Sequence, residues 1–189
     1  MSVKVYGFVV RVEGFSDDAM DGISDRLYGL MAVQGGVDAV LSGGENGGTI
    51  FFDREAEDAV VAVVSAIEQV EAAGLRVLGV SEDNVTAEDI AEQAGVTLGA
   101  VSHWVSGVRG GGGFPAPVIE RQRGSLWSWA EVSQWLSTRN LGKVDEAAVE
   151  VAHVAKFLNA LITAHHERDQ AVPAHRRADV RPFVDRLIA

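Results

Sequence analysis

Residues 86–139 constrain the chain more than any other stretch. They read TAEDIAEQAGVTLGAVSHW, then reach four consecutive glycines, then continue FPAPVIERQRGSLWSWAEVSQWLSTR. Thr86 with Asp89 three residues on is an N-terminal capping arrangement, close to the Ser/Thr-x-x-Glu box. Ile90 and Ala91 then point inward, with Ala94 near the bend. Gly95 stops this first helix, where a left-handed backbone costs a glycine little. Val96 buries at the bend and Thr97 caps a second helix. Val101, Trp104 and Val105, at i, i+3 and i+4, are expected on its inner face. Thr97, Leu98, Gly99, Ser102, His103 and Ser106 are left outside. Two helices this short bury enough apolar surface only by packing on each other and on a third element.

That third element is expected at Ser128, which caps a helix carrying Trp129, Val132, Trp135 and Leu136. The run "DIAEQAGVTLGAVSHWV" followed by "FPAPV…LWSWAEVSQWL" resembles the winged helix-turn-helix of the MerR/AlpA-excisionase type. The likeness covers residues 86–139 and neither flank. It implies a DNA-binding module in which the N-terminal part of the second helix enters the major groove. It also implies a wing with strands at Val118–Arg121 and Ser125–Trp127 and a tip at Gln122-Arg123-Gly124. Arg109, Arg121, Gln122 and Arg123 then face phosphates or the minor groove. The second helix displays no Lys or Arg between Thr97 and Ser106. Base readout is therefore expected from Thr97, Ser102 and His103, with affinity built by dimerisation or cooperative binding. Gly110–Gly113 reads as a flexible connector to the wing.

The N-terminal 81 residues follow another pattern. Val3–Val12 alternates as a strand should. Ser16 or Asp17 caps a helix through Met20, Ile23, Leu27 and Leu30. Val37–Leu41 and Thr49–Phe52 read as a hairpin about the Ser42–Gly48 turn. Glu55–Ala73 is helical, with Ala59, Val60, Val63, Val64, Ile67 and Val70 on one face, and Leu75–Val80 is a fourth strand. The order βαββαβ predicts an α+β ferredoxin-like sandwich; an open βαβ-type sheet of another topology is the alternative. The expected organisation is thus a ferredoxin-like domain over 1–81, a linker over 82–85, a winged helix-turn-helix over 86–140, and C-terminal helices over 141–189. Val144, Ala148, Val151, Ala155, Leu158, Ile162 and His165 form a seam alternating four and three. It serves either a contact between subunits or a helix laid on the chain's own body. A homodimer through Val144–His166 is the expectation, with Pro182 starting a last helix whose Phe183, Val184, Leu187 and Ile188 need a cover.

Charge and motifs narrow the function classes. The formal net charge of −11 argues against a general nucleic-acid coat. The acidity is uneven: residues 1–81 hold thirteen acidic and five basic side chains, residues 143–189 seven of each. From Thr97 to Arg139 there are four arginines against Glu120 and Glu131. An acidic body with a locally basic edge still docks on DNA. The chain has no cysteine, so no disulfide, Cys-zinc site or thiol nucleophile is possible, which fits a cytoplasmic, nucleoid-associated protein. No apolar run approaches the roughly 18 residues of a membrane span, and no membrane partner is expected. The glycines of SGGENGG precede no Gly-Lys-Ser/Thr, and Asp17, Asp18, Asp21 and Asp25 lack calcium-loop spacing. His153, His165 and His166 form no metal motif. No enzyme, metal or cofactor is therefore expected. The leading expectation is a sequence-preferring DNA-binding regulator acting as a dimer on double-stranded DNA. The alternatives are an antitoxin-like or scaffold module, whose acidic N-terminal domain takes a protein partner, and an architectural or segregation protein spreading on DNA.

Overall fold

The computed structural model describes residues 3–34, 39–81, 83–121 and 124–188. Its first half is a four-stranded antiparallel sheet with two helices on one face. Strands β1 (Lys4–Val12), β2 (Ala39–Gly44), β3 (Gly47–Ala56) and β4 (Val77–Val80) lie in the order β2-β3-β1-β4. Helix α1 (Asp17–Gln34) connects β1 to β2, and α2 (Ala59–Ala72) connects β3 to β4. Alternation sets the faces. Tyr6, Phe8, Val10 and Val12 of β1 and Ile50 and Phe52 of β3 point into the core with Ile23, Leu27, Val63 and Val70. Phe8 and Phe52, partners in register, stack 5.3 Å apart. The opposite face keeps Val5, Val40 and Phe51 exposed.

Several boundaries shift from those expected. The glycine segment is mostly ladder, because β2 and β3 pair up to Gly44 and Gly47 and leave Glu45-Asn46 as the turn. β3 then runs on to Ala56, so α2 starts late, where Asp58 accepts the Val61 N–H at 2.9 Å. Val60 faces water, while Ala62 and Ala66 join the buried stripe. Arg54 is buried beside them: it donates to Ser65 Oγ at 3.0 Å and to Gln69, with its guanidinium over the Phe52 ring. Of the expected second strand, Val37 and Asp38 fall outside the described residues.

The second half packs three helices, α3 (Ala87–Gln93), α4 (Leu98–Val105) and α5 (Trp129–Thr138), with a small sheet. Asn84 and Val85, expected to be linker, form β5 and pair antiparallel with β6 (Trp127–Ser128). An isolated antiparallel bridge joins Ile119 to Leu126, the residue before β6. Asp83 fastens this junction: its carbonyl accepts the Trp129 N–H at 2.6 Å, and its carboxylate accepts Ser128 Oγ at 3.0 Å and the Ala130 N–H at 3.1 Å. A carboxylate at the first turn of α5 also meets the helix dipole favourably.

Helix α6 (Glu146–Ala171) joins the two halves. By length and composition it would suit a membrane span, yet one stripe of its apolar residues sits on the protein's own cores, while Phe157 stays exposed. Val151 and Ala155 enter the sheet core, Leu158 and Ile162 pack on it, and Ala152 belongs to the helical core. Of the seam expected to join subunits, Val151, Ala155, Leu158 and Ile162 pack on the sheet core and Val144 on the helical core, while Ala148 lines a cavity and His165 is exposed. Polar contacts fix the register. Lys4 Nζ reaches Glu146 and Glu150, each at 2.9 Å, and Tyr6 OH donates to Glu150 at 2.8 Å. Lys156 Nζ donates to Ser128 Oγ at 3.0 Å and pairs with Glu131 at 2.8 Å. Asn159 pairs with the outer edge of β4, accepting the Val80 N–H at 2.7 Å and donating to its carbonyl at 2.8 Å. An open sheet edge is a liability for aggregation, and this amide with its helix covers it. A 3-10 turn (Ala174–Arg176) leads to α7 (Arg177–Ile188). Pro182, expected at the helix start, lies inside α7, where it removes one backbone bond.

Two outcomes follow from α6. Asn159→Leu leaves both Val80 groups unpaired and is expected to cost about 2 kcal/mol, read as a lower urea midpoint by far-UV circular dichroism and faster exchange of the Val80 amide. The second concerns pH. Hydrogen bonds from Lys4 and then Tyr6 hold the Glu150 carboxyl below its ordinary 4.5, and bonds to Glu146 and Glu150 hold Lys4 above its ordinary 10.5. Glu150's contribution is complete above its unfolded value and is lost as pH falls through the lower folded one. That of Lys4 is complete below 10.5 and is lost as pH rises through its folded value. The urea midpoint should be level between about pH 6 and 9 and fall on both sides, with a shallower acid limb in Glu150→Gln.

Candidate nucleic-acid interface

The segment from Thr86 to Ser106 takes its shape from three local devices. Thr86 and Asp89 form a reciprocal capping box: the Thr86 hydroxyl accepts the Asp89 N–H, and the Asp89 carboxylate accepts the Thr86 N–H at 2.8 Å. Gly95 turns at φ +62, and the Lys143 side-chain stem lies over it. Thr97 caps α4, its hydroxyl accepting the Ala100 N–H at 3.2 Å. Val101 and Trp104 are thereby buried, and Thr97, Leu98, Gly99, Ser102, His103 and Ser106 all lie on the exposed side. Val105 departs from the expected inner face, being 46% exposed. The inner stripe of so short a helix is only wide enough for positions 101 and 104.

The outer polar groups have a defined direction. Ser102 Oγ donates to the Leu98 carbonyl at 3.0 Å, and Ser106 Oγ donates to the Ser102 carbonyl at 2.8 Å. Each hydroxyl proton is thus used inside the helix, so the lone pairs are what the serines offer outward. Such a surface suits partners that donate, as cytosine N4 and adenine N6 do in a major groove. His103 lies between them, and its carbonyl accepts the Arg109 N–H at 3.1 Å. That bond sets the exposed Arg109 directly after α4.

The ribbon is anchored to the same core as α4. Trp104 packs on Trp135 at 5.6 Å, Trp135 on Phe114 at 5.0 Å and Phe114 on Trp127 at 6.3 Å. This chain of rings runs from the inner side of α4 to the base of the ribbon. Further out, Ser125 Oγ accepts the Arg121 N–H at 3.1 Å and donates to the Arg121 carbonyl at 3.0 Å, which closes the hairpin. Arg121 is exposed. Gln122 and Arg123, expected at the tip, lie outside the described residues.

The glycine run, expected as a flexible connector, is a turn whose carbonyls accept side-chain hydrogen bonds. All four residues have positive φ, from +65 to +83. Arg139 Nε donates to the Gly110 carbonyl at 3.1 Å, Arg139 Nη2 to the Gly112 carbonyl at 3.1 Å, and Trp135 Nε1 to the same oxygen at 3.2 Å. The Arg139 guanidinium also lies over the Trp135 ring at 4.6 Å. One of the four arginines counted toward a basic face is thus held by the turn. Charge counting missed this role for Arg139, and only the matched spacing of Trp135 and Arg139, one helical turn apart, hinted at it.

Comparison with protein-family models, with curated protein sequences and with solved structures finds no match.

Gly110 gives the local test. It turns at φ +83, and an added Cβ would lie 2.6 Å from Trp135 Cη2 and 2.9 Å from Trp104 Cδ1. Gly110→Ala is expected to cost about 2–3 kcal/mol through backbone strain and overpacking. All four tryptophans lie between positions 104 and 135, so tryptophan fluorescence during urea unfolding reads this half directly and should show the loss.

Proposed function

We propose that the chain is a sequence-preferring DNA-binding protein that regulates transcription as a homodimer. On this reading the first half is a ferredoxin-like sandwich, supported by the βαββαβ order and the β2-β3-β1-β4 sheet. The second half is a winged helix-turn-helix, supported by three helices around one core with a bridged ribbon beside them. One observation carries the reading: α4 buries Val101 and Trp104 while its outer side presents Thr97, Ser102, His103 and Ser106 with Arg109 following. That is a short helix packed on a core by one side, with polar groups along its exposed side from the Thr97 cap to its C-terminal end, a form in which side chains can reach base edges. Arg109 and Arg121, with Arg123, supply the phosphate contacts. Few cations per protomer mean modest affinity and a shallow salt slope, about one unit of log–log slope for each phosphate neutralised.

Fluorescence anisotropy with labelled genomic fragments at several salt concentrations tests this. Binding should weaken as salt rises. Arg121→Ala and Arg123→Ala should each weaken it on every sequence by about three- to tenfold and reduce the slope by about one. Ser102→Ala or His103→Ala should alter sequence preference instead. No binding at low salt, or binding without a salt slope, would overturn the proposal.

A second reading has one observation in its favour. Leu98, Val105 and Val108 are exposed on and just after α4, and no Lys or Arg lies within that helix. Such a surface suits a protein partner. Stoichiometric recovery of one protein, abolished by Val108→Asp and accompanied by no DNA binding, would decide for it.

A further inference from the structure

The open face of the sheet and helix α7 are both apolar, exposed and complementary in charge. Across the sheet, Val40, Phe51 and Val9 are register neighbours and form one row. Val40 is 62% and Phe51 52% exposed. The row leads into a cavity of about 580 Å³, with Gly7, Val9 and Phe51 as its floor and Ala148, Ala152 and Ala155 of α6 along one wall. A glycine below and alanines beside it leave room for a large side chain. Arg11 and Asp83 also line the cavity, and the sheet face beside the floor carries two exposed carboxylates, Asp53 and Glu55, opposite Gly7 and Val5.

Helix α7 has the matching features. Val180, Phe183, Val184 and Leu187 follow i, i+3, i+4, i+7 spacing, and Phe183 is 54% exposed. The helix packs chiefly on the 3-10 turn that precedes it. From Arg176 onward the segment has four arginines against Asp179 and Asp185. An apolar stripe flanked by arginines suits an apolar sheet face that carries carboxylates beside the cavity. The protein's own α7 starts away from the groove. Arg177 bonds the Val172 and Asp169 carbonyls and pairs with Asp169 at 3.3 Å, which holds the helix to the last turn of α6. That end of α6 lies beside Arg76, at the opposite end of the sheet from the contacts of Lys4 with Glu146 and Glu150.

We infer that α7 of one copy docks in the groove of a second copy, Phe183 entering the cavity beside Phe51, and that the exchange is reciprocal. A two-fold dimer results, with each chain giving a helix and receiving one. This interface differs from the 144–166 seam and does not depend on DNA binding.

Sedimentation of the full chain without DNA is the test. A concentration-dependent dimer is expected. Phe183→Asp or Phe51→Asp, both at exposed positions and checked for intact circular dichroism, should raise its dissociation constant about tenfold or more. Because the chain has no cysteine, a mixture of Phe183→Cys and Phe51→Cys chains should form a disulfide-linked heterodimer on mild oxidation. A monomer at every concentration overturns the inference, as does a dimer indifferent to both Asp variants. A double-cysteine chain that closes on itself as a monomer overturns it too, because the occupant would then be the protein's own helix.

Discussion

Helix α6 gives neighbouring residues to different cores. Val151 and Ala155 complete the packing behind the sheet, while Ala152 enters the cluster of Ile90, Trp129 and Val132. Burying a valine contributes about 1.5–3 kcal/mol, and these contacts are accompanied by directional ones at Lys4, Tyr6, Val80, Ser128 and Glu131. At about 1.5 Å per residue its 26 residues span roughly 39 Å, enough to lie along both halves. A helix that serves two cores ties their relative orientation to its own stability. The small sheet adds a second tie, because Asp83 leaves the end of the larger sheet and immediately caps α5. The two halves are thus joined by shared packing and not by a flexible tether.

What the sequence discloses follows from the range of each interaction. Capping is local, and the N-caps at Thr86, Thr97 and Ser128 are legible because donor and acceptor are three residues apart. The alternating strands are legible for the same reason, since one face is buried and the period is two. Contacts over long separations are not. Nothing near Asn159 marks it as the partner of Val80, and nothing near Asp83 distinguishes a capping residue from a polar linker. The heptad seam of α6 illustrates the limit: its period reports that one stripe is buried, and cannot say whether the cover belongs to the same chain. The glycine run shows a different ambiguity. Four glycines permit flexibility and equally permit four left-handed residues, and the choice is made by Trp135 and Arg139 more than twenty positions away.

The candidate interface is poor in charge and rich in fixed dipoles. Ser102 and Ser106 spend their protons on helix carbonyls, a pattern that commonly weakens a helix slightly. Here it orients two acceptors along one exposed line. Arg139 is withdrawn from the surface count by the turn it holds, which leaves Arg109 and Arg121 among the described residues of this face. A surface of this kind discriminates by hydrogen-bond direction more than it attracts.

On the proposed reading, that balance explains why a dimer is physically required. Two or three phosphate contacts per protomer give weak binding at physiological salt, because nonspecific affinity scales with the cations engaged. Linking two such modules makes the second docking step intramolecular, with effective concentrations on the order of millimolar and avidity gains of roughly 10²–10⁴. The gain is retained only if the two recognition helices are held at a fixed separation. A rigid joint between the halves of each chain meets that condition, since any interface made by the sheet face or by α7 is transmitted through α6 to the base of α4. A flexible tether would permit the same contacts but forfeit most of the gain. If the proposed reading holds, the packing of α6 on both cores is the feature through which so weakly charged a surface would act on DNA.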